Sequence, residues 1–172
     1  MIRRWLESWL RRTERKVGAS LEEFRFLLRH APGWFLRLVC LIPISARRTV
    51  LPVDGFHVVR LVAVMAEDCG GCVQAEVNIA RQAGVDKAVL QAVLDQRPGK
   101  LSAELSDLFY FADAVVHATN QEAEVRERIR KRYGDRGLAE LAMVIAVRRV
   151  FPQVKRALGF LTSCSHVKVD LQ

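Results

Sequence analysis

Helix breakers are scarce in this sequence: 172 residues hold only five prolines and ten glycines. Alanine, leucine, arginine and glutamate are abundant instead, a balance that predicts an all-α protein. Short apolar runs never alternate with helical patterns, so there is no βαβ unit. That excludes a thioredoxin fold, the usual home of a C-x-x-C pair in a cytosolic protein. Long apolar runs are missing too. The longest, Trp34 to Ile44, spans about eleven residues and is interrupted by Arg37 and Pro43, whereas a membrane span needs roughly 20. The basic N-terminus leads into further charges rather than an apolar core, so no signal peptide is expected. Four cysteines are too few for a secreted disulfide scaffold. These absences together predict a cytoplasmic protein in a reducing compartment.

Charge is present but unevenly placed. The net charge is +8, and residues 1–50 hold 11 Lys and Arg against 4 Asp and Glu, leaving the remainder almost balanced. No basic stripe runs through the body, so nucleic acid is not an expected partner. The excess sits mainly on residues 1–19, a basic amphipathic N-terminal segment. Over residues 2–17, Ile2, Trp5, Leu6, Trp9 and Leu10 share a helical face, while Arg3, Arg4, Arg11, Arg12 and Arg15 occupy much of the rest. Two surfaces suit such a helix. One is an anionic membrane, which would make the protein peripheral to it; the other is the protein body or a neighbouring subunit.

A helical domain is expected over residues 20–161, followed by a tail at 162–172. Ser20 to Glu23 has the form of a capping box, and Pro32 precedes a short apolar helix, Gly33 to Ile42, expected to be buried with Cys40 as a core residue. Ser45 to Pro52 reads as a linker. Asp86 and Ser102 are placed as N-caps, Arg97 to Lys100 as a turn, and Thr119 to Glu122 as a second capping box. The charged stretch from Val125 stops at Gly134. Asp135 then caps a central apolar helix, Leu138 to Val150, and Pro152 kinks or ends it. About eight helices result.

The chemistry is concentrated in residues 57–84. Cys69 and Cys72 form a C-x-x-C pair at or just inside a helix N-terminus, where unpaired N–H groups and the helix dipole favour a thiolate. Gly70 and Gly71 between them let the backbone accommodate dithiol and disulfide. Glu76 lies one helical turn beyond Cys72 on the same face, and His57 lies on the preceding helix. Two readings of Glu76 and His57 stand side by side. They handle protons for the cysteines, or Glu76 pairs with an arginine such as Arg60 or Arg81 while His57 faces solvent. Arg148 and Arg149 are candidates for ion pairs between subunits. Cys40, Cys164 and His166 show no metal-ligand spacing, so neither a metal nor a cofactor is expected.

The stretch LVAVMAEDCGGCVQAEVNIARQAGV, with LSDLFYFADAVVHATN and YGDRGLAELAMVIAVRRVFPQVKRALG after it, resembles the AhpD-like, carboxymuconolactone decarboxylase superfamily over roughly residues 22–160. The resemblance implies an all-helical bundle assembled as a homo-oligomer, a trimer or a hexamer. It also implies thiol-dependent reduction of a hydroperoxide substrate. Cys72 would be the attacking thiol and Cys69 the resolving one, with a lipoyl or thioredoxin-like dithiol as reductant. One departure bears on the chemistry. Where the family has histidine, position 76 is glutamate; where it has glutamate, position 57 is histidine. With reference pKa values of about 4.3 and 8.5, a carboxylate takes a thiol proton only uphill, by roughly 5–6 kcal/mol, whereas imidazole near 6.5 is better matched. An ionised Glu76 would also repel the thiolate. The expectation is therefore an exchanged relay, with His57 as base and Glu76 orienting it. Its competitor is a non-catalytic protein of the same fold that has lost the relay and serves as an oligomeric interaction or membrane-surface protein.

Overall fold

Helix α4, Val53–Met65, is apolar on nearly every side and buried on every side: Gly55 through Val64 are all shielded from solvent. A helix without a polar face has to sit at the centre of a protein, and α4 does. In the computed structural model, which describes residues 2–119, 122–161 and 170–171, four helices surround it. They are α5 (Gly70–Gln82), α6 (Lys87–Leu94), α7 (Ala103–His117) and α8 (Glu122–Ala157). Val58, Leu61 and Val64 of α4 share one core with Val77, Leu90, Leu108 and Leu141. Each such side chain stabilises the fold by roughly 1.5–3 kcal/mol on burial.

The remaining helices, α1 (Ile2–Val17), α2 (Glu22–His30) and α3 (Pro32–Ala46), build a second, smaller core. Leu10, Phe24, Leu28, Phe35 and Leu38 meet Val150, Phe151 and Val154 from the end of α8. Phe24 stacks on Phe151 at 6.3 Å and meets Phe35 edge-on at 6.5 Å. The inner face of α1 is thus held by the body: Leu10 is fully buried, while Ile2 and Trp5 near its start stay exposed. Side chains of α5 cap its C-terminal carbonyls. Asn78 Nδ2 donates to Val17 O and Gln82 Nε2 to Lys16 O, each at 2.8 Å. The chain is all-α, with eight helices and no strand among the described residues.

Local sequence signals set several helix ends. Gly84, at φ +89°, closes α5: its N–H donates to Arg81 O at 3.0 Å and that of Val85 to Ala80 O at 3.1 Å, the pattern of a Schellman motif. Asp86 caps α6 through Ala88 N–H at 2.7 Å, and Ser102 caps α7 through Leu105 N–H at 3.3 Å. A single 3₁₀ turn, Pro98–Lys100, lies between those two helices.

Elsewhere the expectations need correction. The Ser20 capping box does not form. The carboxylate of Glu14 takes the Leu21 N–H instead, at 2.8 Å, and Glu23 turns inward to Lys155. The break expected at Gly134 is present: with φ +68° and ψ −178° it is non-helical and divides α8 into two helical stretches, while Asp135 accepts from Arg130. Helix α3 runs on through Pro43 to Ala46 and is only half covered, with Trp34, Leu36 and Ile44 exposed. Cys40 is an exposed free thiol, not a core residue. The expected capping box at Thr119 to Glu122, together with Cys164 and His166, lies outside the described residues. Among those described, no helix is long and apolar enough to cross a membrane.

Candidate functional site

The loop between α4 and α5 is short and firmly clamped. Residue Glu67 accepts from Arg149 and, at 3.3 Å, from Gln153, while its backbone carbonyl accepts from Arg156. All three partners come from one stretch of α8. Asp68 follows with φ +48°, a left-handed turn that aspartate tolerates better than most residues. Cys69 then stands in extended conformation as the N-cap of α5, its sulfur accepting the Cys72 N–H at 3.3 Å. The two cysteines are joined as a disulfide, with Cα atoms 5.2 Å apart. Cys69 is fully buried. Cys72, in the first turn of α5, is only half-buried.

Behind the cysteines, Glu76 is fully buried and draws three helices together. Its Oε1 lies 2.7 Å from Arg60 Nε and 3.3 Å from His57 Nδ1. Its Oε2 accepts from Arg60 at 3.1 Å and from Arg148 of α8. His57 and Arg60, three residues apart on α4, face the same way because that spacing is close to one helical turn. Burial pushes the Glu76 carboxyl up, but the charges of Arg148 and Arg60, with His57 beside them, more than reverse this and hold it at about 2. Glu76 is therefore ionised and cannot accept a thiol proton near neutrality. Nor does it present a bare negative charge to Cys72, since two guanidinium groups outweigh it. Each guanidinium also lies over a ring face, Arg60 over Phe56 at 5.0 Å and Arg148 over Phe151 at 5.4 Å.

In front of the cysteines lies a cavity of about 140 Å³. Its walls are mostly apolar, with Trp9 and Leu10 from α1, Phe24 from α2, Ile79 from α5 and Phe151 from α8. Cys72 lines it; His57, Glu76 and Cys69 do not. Three charged residues do: Arg148, Glu23 and Lys155. Lys155 is almost fully buried, donates to Ser20 O at 2.9 Å and lies 3.7 Å from Glu23 Oε2. Its Nζ comes within 3.7 Å of where a Cβ would stand on Gly71, between the two cysteines.

The structure thus brings all four sequence-selected residues into one neighbourhood, in two pairs: Cys69 with Cys72, and His57 with Glu76. Arg60 is the arginine that Glu76 meets; Arg81 instead donates to Leu171 O at 2.7 Å. His57 is buried rather than facing solvent. Arg148 and Arg149, the candidates for ion pairs between subunits, pair within the chain with Glu76 and Glu67. Sequence reasoning passed over Glu23, Lys155 and Arg156. The available signal was the recurrence of cations in an otherwise apolar stretch, RRVFPQVKR, which is costly unless each has a partner. Among the described residues, no group of three or more His, Cys, Asp or Glu is placed to hold a metal. No protein-family model, curated protein or solved structure matches this chain.

Proposed function

We propose that the chain is a thiol-dependent hydroperoxide reductase of the AhpD-like type, working through the Cys69–Cys72 pair. The observation that carries this reading is the disulfide at the N-terminus of α5, with one sulfur sealed and the other facing a cavity. In the reduced state, the Cys72 thiolate attacks the outer oxygen of the peroxide. An S–O bond forms, the O–O bond breaks and an alkoxide leaves, so that Cys72 becomes a sulfenic acid. Cys69 then attacks the Cys72 sulfur and water departs, giving the disulfide. A lipoyl or thioredoxin-like dithiol reduces it again through a mixed disulfide at the accessible sulfur.

Two features favour a thiolate at Cys72. One is the start of α5, whose free N–H groups and dipole attract negative charge. The other is the Glu76–Arg60–Arg148 cluster, which is net positive one turn further along the helix. His57 is the base in this reading, held in orientation by Glu76 through Nδ1. Glu76 contributes orientation and charge rather than proton transfer. The reading extends to a homo-oligomer, trimeric or hexameric, for which the exposed Trp34, Leu36 and Ile44 of α3 provide apolar surface. A membrane-surface contact through Ile2 and Trp5 of α1 belongs to the competing non-catalytic reading, and their exposure favours it.

The test is thiol counting on the dithiothreitol-reduced chain with and without one equivalent of hydroperoxide. Rapid loss of two thiols, with Cys69 and Cys72 recovered as one disulfide-linked peptide, is the expected result. Thiols that survive the peroxide would leave the interaction protein as the better account.

A further inference from the structure

An alkoxide is a poor leaving group unless it is protonated as it departs; Glu76 is ionised, and neither it nor His57, which holds the proton from Cys72, lines the cavity in which the peroxide would sit. We infer that Glu23 is the acid that protonates the leaving oxygen, and that Lys155 is the residue that positions its carboxyl on the cavity wall. The inference rests on the peroxidase reading and adds to it a second carboxyl, from α2, which lines the cavity with Cys72 where Glu76 does not.

Three observations converge on Glu23. It is almost fully buried, yet it lines the cavity that Cys72 lines. Among the described residues its Oε2 has no hydrogen-bond partner, although nearly all buried side-chain oxygens have one. Its sequence position, in the pattern of a capping box, would ordinarily aim it back at Ser20 N–H; it has been turned inward instead. Lys155 holds this arrangement at both ends, since one ammonium group reaches Ser20 O and Glu23 and lies beside Gly71.

The charged groups facing Glu23 are Lys155 from α8 and Glu14 from α1. Burial pushes the Glu23 carboxyl up by more than the charge and approach of the Lys155 ammonium and its own backbone N–H pull it down, and Glu14 adds to the rise. A raised carboxyl keeps its proton to higher pH, as a general acid must. The step balances. Cys72 thiolate and the peroxide give the sulfenic acid and an alkoxide; the alkoxide takes the Glu23 proton and leaves as alcohol. Solvent reprotonates Glu23, and His57 returns to solvent the proton it took from Cys72.

The experiment compares wild type with Glu23→Gln in three reactions of the reduced full-length chain, followed at Cys72 by peptide mass spectrometry. Reduction of tert-butyl hydroperoxide needs a proton for the leaving oxygen and is expected to fall about 100-fold in Glu23→Gln. Reaction with peroxyacetic acid expels acetate, which leaves unprotonated, and alkylation by iodoacetamide expels iodide; both are expected to stay within about threefold of wild type. In wild type the tert-butyl hydroperoxide rate falls at high pH as Glu23 loses its proton. Glu23→Gln abolishes that fall, and Lys155→Met moves it to higher pH because the cation that lowers the carboxyl has gone.

Equal rates for Glu23→Gln and wild type with tert-butyl hydroperoxide would overturn the acid. Equal slowing in all three reactions would overturn it too, by making Glu23 structural. An unmoved alkaline limb in Lys155→Met would remove Lys155 from its role. A wild-type chain that alkylates at Cys72 but consumes no peroxide would overturn the peroxidase reading itself, and the acid with it.

Discussion

Two buried carboxyl groups, Glu76 on α5 and Glu23 on α2, look alike in sequence and behave oppositely. Glu76 meets two guanidinium groups and an imidazole, all within 3.3 Å, and its carboxyl is held at about 2. Glu23 has one ammonium group 3.7 Å away, an oxygen without a hydrogen bond, and a carboxyl displaced upwards. Both are buried, so burial alone does not distinguish them. The number and closeness of the cations does. A saturated carboxylate fixes its surroundings and stays charged; an undersaturated one can exchange a proton. In the proposed reading the first fixes its helices and the second exchanges a proton.

The comparison can be broken most severely at Glu76. Glu76→Ala leaves Arg60 and Arg148 buried without their carboxylate, and is expected to lower stability by about 3–5 kcal/mol in urea unfolding. That is a large share of the roughly 5–15 kcal/mol typical of a domain. A loss below about 1 kcal/mol would mean that water reaches the cluster.

Acid should act on the same group. A carboxyl held below its ordinary value stabilises the fold above that value and ceases to do so as pH falls. Lowering pH from 4.5 to about 2 is therefore expected to remove on the order of 3 kcal/mol through Glu76. Circular dichroism unfolding at stepped pH checks this, and Glu76→Gln should flatten the decline.

On the cavity side the effects are smaller. Leu10→Ala enlarges the cavity and loosens α1, at an expected cost of about 2–3 kcal/mol. This is the low end for a buried leucine, because a side chain that already borders empty space has fewer contacts to lose. Glu23→Gln should have the opposite sign. Because the Glu23 carboxyl is raised, the stability associated with its protonated form is lost as pH rises through its folded value, and an uncharged amide avoids that loss. At pH 7 the variant is expected to match wild type or exceed it by at most about 1 kcal/mol. A clear loss there, measured by the same urea titration, would show that Glu23 and Glu76 play the same part.

The sequence revealed whatever depends on neighbours along the chain. Asp86, Ser102 and Gly84 set helix ends through contacts within five residues, so their signals are readable in place. The all-α class and the helix-terminal C-x-x-C pair follow from equally short-range patterns. Long-range partners were harder to see. Arg148 reaches Glu76 across 72 positions and Lys155 reaches Ser20 across 135, and no periodicity encodes such distances. The same limit explains the failed capping box, where Glu23 has a stronger partner from α8 than any near Ser20. Cys40 was misread because a run apolar on all sides usually indicates burial, yet α3 is a peripheral helix that covers the second core with one face alone.

The central claim is a division of labour between one sealed sulfur and one open sulfur. Its most direct measurement is dimedone labelling of Cys69→Ser and Cys72→Ser after one equivalent of hydroperoxide, read by peptide mass spectrometry. Serine at position 69 keeps an N-capping oxygen for α5, so the first variant should accumulate the sulfenic acid and carry the label at Cys72. The second should carry none at Cys69. Label at Cys69 in the Cys72→Ser chain, or at neither cysteine in either chain, would contradict the account.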